Sequence, residues 1–460
     1  MRNVSWTVTT ERAPWQTYAP VPPLGESDGP VGMPDVIVRL DDERQEIEGF
    51  GAAFNEMGWL ALAHLEESQR TEILRELYAP GVGAGLTTGR LPVGANDFSR
   101  DWYSYDEVAG DLELEHFSVA NDLDTLVPFV RAAQEQQPAL ALWTSPWSPP
   151  SWMKVNGHYA AALPIPGSGQ TENGLRPDQV GREGTDMFRL EEPYLRAYAA
   201  YFGRYVDAYR ELGIEIGMVM PQNEFNSAQV FPSCTWTPSG LARLLRHLGP
   251  EMARRGVEVF LGTLERPDDR LVSETLADPE VARHVSGVGV QWHGKGALPF
   301  LRRDHPELRI FQTEQECGDG RNDWRYARYS WDLMTRFLLG GASAYHYWNI
   351  ALESGGVSRW GWSQNSLVVV DPATRTYEYT HEYYVLKHVS HAVAPGARLV
   401  STLSYTGYES QLAFRNPDGS LVLVVQNDGG SDLPISILVG DQLVRPVLPA
   451  DSLSTFVLEV

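Results

Sequence analysis

The chain has 460 residues, 43% hydrophobic and 21% charged, without low-complexity tracts: a globular composition, long enough for one large domain and an accessory one. A formal charge of −23, from 37 basic against 60 acidic residues, argues against phosphate backbones and anionic membranes as partners, so no nucleic acid is expected to bind. Two cysteines, Cys234 and Cys317, are too few for a disulfide framework, and with scattered histidines they make no zinc site; both are expected to be reduced thiols.

The N-terminal "MRNVSWTVTTERAPWQTYAP" lacks the apolar core of a signal peptide, and no apolar run reaches the ~18 residues of a membrane span, so the expectation is a cytoplasmic protein without membrane insertion. The strand-like "VSWTVTT" and "PDVIVRLDD" precede eight short apolar segments. These are "QEIEGFGAAF", "GLTTGRLPVG", "PALALWTSPW", "IEIGMVMPQNE", "VEVFLGTLE", "VSGVGVQWHG", "LRIFQTEQE" and "GASAYHYWNIAL". Helical periodicity lies between most of them, as in "EPYLRAYAAYFGRYVDAYRELG" and "SGLARLLRHLGPEMARRG", the latter with Ser239 as expected N-cap. Eight β-then-α units predict an α/β fold, a (β/α)8 TIM barrel over 46–394. A doubly wound open sheet is the competitor, but "GFGAAF" lacks the GxGxxG spacing of its phosphate loop. From about residue 395 the apolar residues alternate at period two, with turns at "NPDG" and "NDGG". Residues 1–45 and 395–460 are therefore expected to form one β-sandwich side domain from both chain ends.

In such barrels, chemistry sits at the C-terminal ends of the strands. Read in order, those ends carry Asp97, then Trp147, Trp152 and Asn156, then Asn223-Glu224, "QWHG", Glu314 and finally Trp348. A carboxylate closing a buried strand is costly to desolvate, so Glu224 after "GMVMPQN" calls for a reason. Carboxylates on strands four and seven face each other across a barrel, the constellation a retaining glycosidase uses. Each residue also has a structural alternative. Glu224 could sit in water, Asp97 could cap a turn, Trp152 and Trp348 could be core, and His293 could be structural. Glu316 rivals Glu314, because alternation puts both on one face of a continuing strand.

Seven motifs in order resemble glycoside hydrolase family 30, the clan A retaining β-glycosidases that include glucosylceramidases. They are "GFGAAFNE", "RLPVGANDFS…YSYDE", "SPWSPPSWMKVNG", "QNE…FPSCTWT", "FQTEQECG", "YWNIALESGG" and "HEYYVLKHVSHAVAPGARLV". The resemblance implies Glu224 as general acid/base and Glu314, from its Thr-Glu pair, as nucleophile. It further implies Asn223 as holder of the sugar 2-OH, Asp97 as partner of the far hydroxyls, and Trp152 and Trp348 as subsite walls. No cofactor or metal is implied; the partner is a carbohydrate, a β-glycoside. Two departures mark the substrate mouth. His293 stands where a Tyr commonly contacts the nucleophile, and "SRWGWSQNS" is richer in Trp than the glucosylceramidase pattern.

The expected activity is retaining hydrolysis of β-glucosides or short β-linked oligosaccharides. An endo-β-1,6-glycanase or β-xylosidase activity is the alternative within the family. A carbohydrate-binding protein that has lost catalysis is the alternative of another class, against which the presence of both carboxylates counts.

Overall fold

The computed structural model describes residues 4–21 and 32–458. Eight parallel strands close a barrel: β1 Gly49–Ala53, β2 Thr88–Pro92, β3 Ala141–Ser145, β4 Met218–Val219, β5 Glu258–Leu264, β6 Val285–Val290, β7 Arg309–Gln312 and β8 Ala342–Asn349. Each falls within one of the eight apolar segments. Strands β1, β2 and β8 are buried at every residue, as barrel strands covered on both faces must be. Gly51 illustrates the crowding between strands: a Cβ there would lie 2.2 Å from the carbonyl oxygen of Thr88.

Strand β4 is the shortest, and the reason is local. Pro221 has no N–H to give the ladder, so the chain leaves the sheet at "PQNE" and Glu224 adopts a left-handed φ of 45°. The helix after it runs Pro238–Ala253 and is capped by Thr237, whose hydroxyl accepts from the Gly240 N–H at 3.0 Å. Ser239, the expected cap, lies inside the helix, because Pro238 occupies the first helical position and moves the cap one residue before it.

Strands from both chain ends share one nine-stranded sheet beside the barrel. Val4–Thr10 pairs antiparallel with Ser452–Leu458 over seven residues, and Val36–Ile47 pairs with Ala397–Leu403. One face of this sheet builds its own core from Trp6, Val36, Leu423, Val425 and Phe456. The alternate residues Leu399, Leu412, Phe414, Val422 and Val424 join the barrel's core instead. The side domain is thus welded to the barrel by the second face of its sheet. Among the described residues, no helix is long and apolar enough to cross a membrane. Cys234 and Cys317 are buried free thiols.

One polar contact pins this junction. His388, in the helix His381–Ser390, is fully buried and reaches Thr455 Oγ1 at 2.8 Å through Nδ1 and Thr9 Oγ1 at 2.7 Å through Nε2. Thr455 donates its own proton to the His388 carbonyl at 2.9 Å, so Nδ1 must be the donor and Nε2 the acceptor. Burial, helped by Lys387 and His391, pushes this imidazole down to about 3. The unfolded chain protonates it near pH ~6.5, so its contribution is whole above that pH and is lost on acidification towards 3. His388→Ala should lower the unfolding free energy by about 2–4 kcal/mol at neutral pH. In denaturant titrations the gap to wild type should narrow as the pH falls below about 6. A gap independent of pH would contradict the neutral, buried imidazole.

Candidate active site

The C-terminal end of the barrel holds a cavity of about 170 Å³ lined by Asp97, Trp147, Asn223, Glu224, Glu314 and Trp292, with His293, Gln229, Phe231 and Trp362 among its other walls. A larger groove of about 770 Å³ opens between the Val36–Ile47 strand and the C-terminal end of the helix Leu298–Asp304, and it shares no lining residue with this cavity. Its lining is surface ion pairs such as Arg309 with Glu48, so the smaller cavity is the one with chemistry.

Glu224 and Glu314 meet in that cavity. Gln291, just past β6, places one amide nitrogen 3.4 Å from Glu224 Oε1 and 3.3 Å from Glu314 Oε2. These oxygens can be no further apart than those two distances laid end to end. That bound on the two facing oxygens is compatible with the ~5–5.5 Å of retaining pairs.

The environments of the two acids differ. Glu314 is a hub for donors: Arg90 Nη1 at 2.7 Å, Trp292 Nε1 at 3.0 Å and the Gln291 amide. Glu224 has two amide contacts to its carboxyl, from Gln229 at 3.2 Å and Gln291 at 3.4 Å, and no cation within ion-pair distance among the described residues. Burial first, then the charges of Glu314, Glu265 and Asp97, drive Glu224 well above the usual carboxylate range. Asp97 is pushed up to about 8, mainly by burial and then by Glu314. Its Oδ1 is buried and, among the described residues, has no hydrogen-bond partner. The capping alternative for Asp97 falls to its neighbour, since Asn96 Oδ1 accepts from the Phe98 N–H at 2.8 Å.

Arg90, which sequence reading missed, organises the site. It lies within β2 and is fully buried, giving Nη1 to Glu314 and Nη2 to Asn223 Oδ1 at 2.7 Å. Ser145 Oγ takes Nη2 at 3.0 Å, and the guanidinium stacks 4.4 Å from the Trp147 ring. With Asn223 Oδ1 spent on Arg90, Gln291 and Thr263, the amide NH2 is oriented the other way. The signal was present in the sequence: a lone arginine in the otherwise uncharged strand "TGRLP".

Three expectations change. Trp152 does not line the cavity; its indole N–H donates to the Asp106 carbonyl at 3.0 Å, and the wall on that loop is Trp147. Trp348 does not line it either; it is buried and stacks on Trp147 with centroids 5.2 Å apart. His293 lines the cavity as an exposed residue, while the contact with Glu314 comes from the preceding Trp292, whose φ of 49° turns its indole inward. Glu316, the rival of Glu314, faces elsewhere, bound to Lys295 and to Tyr329 Oη at 2.6 Å.

Comparison with known proteins gives this geometry a family. The model described as "Glycosyl hydrolase family 30 TIM-barrel domain" matches residues 47–393, and "Glycosyl hydrolase family 30 beta sandwich domain" matches 396–456. The chain is 27% identical to lysosomal acid glucosylceramidase of Mus musculus over 92% of its length and 83% of the relative's. It is also 27% identical to endo-1,6-β-D-glucanase of Neurospora crassa, over 86% and 81%. The solved structure of SrfJ from Salmonella typhimurium superposes over all of both chains with a TM-score of 0.85 at 22% identity, a likeness of fold. With barrel and sandwich matched in order over most of its length, the protein belongs to glycosyl hydrolase family 30 and is a glycoside hydrolase acting on β-linked sugars with retention of configuration.

Proposed function

We propose that the protein hydrolyses β-glucosidic bonds of short, soluble glucosides, with Glu224 as general acid/base and Glu314 as nucleophile. What supports the reading is the single Gln291 amide nitrogen in reach of both carboxylates, which brings the two acids together at one point of the cavity. Glu314 attacks the anomeric carbon while Glu224 gives its proton to the departing oxygen. A water, activated by the now ionised Glu224, then releases the sugar from Glu314. The NH2 of Asn223 meets the sugar 2-OH, and the unpartnered carboxyl of Asp97 meets hydroxyls at the far side of the ring.

The leaving group lies on the side of the acid. There the walls are Ser227, Gln229 and Arg266 with the faces of Phe231 and Trp362, a polar and aromatic surface suited to a sugar or small aglycone. A second reading, hydrolysis of β-1,6-glucan, is favoured by the likeness to the Neurospora crassa endo-1,6-β-D-glucanase. Release of monosaccharide from the chain end, against release of internal fragments, separates the two in a product analysis on β-1,6-linked oligosaccharides.

Three outcomes are expected. Glu314→Ala should lower turnover of every substrate by about 10⁴-fold or more. Glu224→Ala should be mildest on dinitrophenyl glycosides, and azide should restore its turnover as the β-glycosyl azide. Azide with Glu314→Ala should give the α-azide; reversed anomers would reverse the two roles. Second, Glu224→Gln should be more stable than wild type at pH 7. The raised folded value of Glu224 makes the wild type lose stability as pH climbs above the unfolded range near ~4.3, so the two should melt together at pH 4. Third, a lipid-linked glucoside in detergent should be turned over more slowly than a short soluble glucoside; equal or faster turnover refutes the reading of the leaving-group side.

A further inference from the structure

A third buried carboxyl stands under the acid. Glu265 directly follows β5, is 1% exposed, and takes the Asn226 N–H at 3.2 Å and the Ser227 hydroxyl at 2.9 Å on one oxygen. Its other oxygen is buried and, among the described residues, unpartnered. Two residues earlier, Thr263 Oγ1 accepts the Glu224 N–H at 2.9 Å and donates to Asn223 Oδ1 at 3.3 Å. The end of β5 therefore grips the turn that carries Glu224 at both of its ends, and that turn closes with the Ser227 N–H on the Glu224 carbonyl at 2.9 Å. A non-glycine residue with φ of 45° needs such support, because that conformation is strained.

We propose that Glu265 is a positioning residue for the general acid: it clamps the 224–227 turn and, when ionised, keeps the proton on Glu224 by like-charge repulsion. The proposal rests on the role of Glu224 given above. Had the clamp alone been needed, an amide would supply the same acceptor oxygen; a carboxyl brings charge as well. The other groups that face Glu224 are the carboxyls of Glu314 and Asp97, the cations Arg90 and Arg266, and His293 at the mouth. Arg90 is committed to Glu314 and Asn223, and Arg266 is paired with Glu183, which leaves Glu265 the acidic neighbour bonded directly to the turn. Glu265 itself is pushed up to about 7, first by burial and against the Ser227 hydrogen bond, so its charge develops in the range where a general acid must hold its proton.

The test is the pH dependence of kcat/KM for phenyl β-glucoside, a poor leaving group, and for dinitrophenyl β-glucoside, a good one. In E265Q the alkaline limb for the phenyl substrate should move to lower pH by about one unit, since removing a like charge beside Glu224 lets its proton leave more easily. The profile for the dinitrophenyl substrate should move little. Ser227→Ala keeps both carboxyls and removes one bond of the clamp; it should lower kcat on the phenyl substrate about tenfold more than on the dinitrophenyl one. An unmoved limb in folded E265Q, or equal losses on both substrates in Ser227→Ala, overturns the proposal. Should E265Q not fold, the Ser227→Ala comparison decides. Glu224→Gln is the control: an alkaline limb that survives it rejects the role of Glu224 itself rather than that of Glu265.

Discussion

The site is built around one buried cation. Arg90 is the guanidinium held against Glu314, while four carboxyls, those of Asp97, Glu224, Glu265 and Glu314, are buried close by. So many anions cannot coexist at low dielectric, and some must keep their protons. Arg90 selects which one is free to give its proton up, because it spends its hydrogen bonds on Glu314 and Asn223 and none on Glu224. On the proposed assignment, two acids of the same chemistry take two roles from the placement of a single side chain. A buried ion pair of this kind is poor evidence of stability, since desolvation offsets much of the attraction. Its value here is geometric: it holds Glu314 and Asn223 in place before any substrate arrives.

The fold supplies what that arrangement requires. Arg90 projects from a strand buried at every residue, packed against the Trp143, Trp147 and Trp348 rings, so neither water nor a second rotamer competes for its donors. The left-handed backbone at Glu224 and Trp292 falls just past strands β4 and β6, where hydrogen bonds from neighbouring elements hold both residues. The side sheet contributes at a distance. Its second face completes the barrel's apolar core, which makes barrel and sandwich one packed body rather than two modules on a tether.

Much of this was legible in the sequence, and what was not has physical causes. Eight apolar segments, each followed by polar residues, announce a barrel because strands buried on both faces show no alternation. Strands from the two chain ends announce a shared sheet because neither set covers both faces alone. Glu224 and Glu314 stood out because a carboxylate ending an apolar run is rare. Arg90 did not, because a single arginine in a strand reads as an edge residue until its neighbours are known. The choice of Trp147 over Trp152 was beyond periodicity as well: "SPWSPPSW" leaves the strand and passes through prolines, where no regular spacing assigns a face. The contact from Trp292 depends on a left-handed backbone at a non-glycine residue, which no pattern in "QWHG" declares.

The contact with Glu314 from Trp292 rather than His293 settles what surrounds that carboxyl. Glu314 is met by a guanidinium, an amide and an indole, three groups that donate hydrogen bonds and do not titrate at neutral pH. The carboxyls driven above their ordinary range are instead Glu224, Asp97 and Glu265, burial being the first cause in each. Of these three, Glu265 is outside the cavity lining, while Glu224 and Asp97 line it. On the proposed roles, double displacement needs one carboxyl that holds its proton, and burial without a bond from Arg90 gives Glu224 that character.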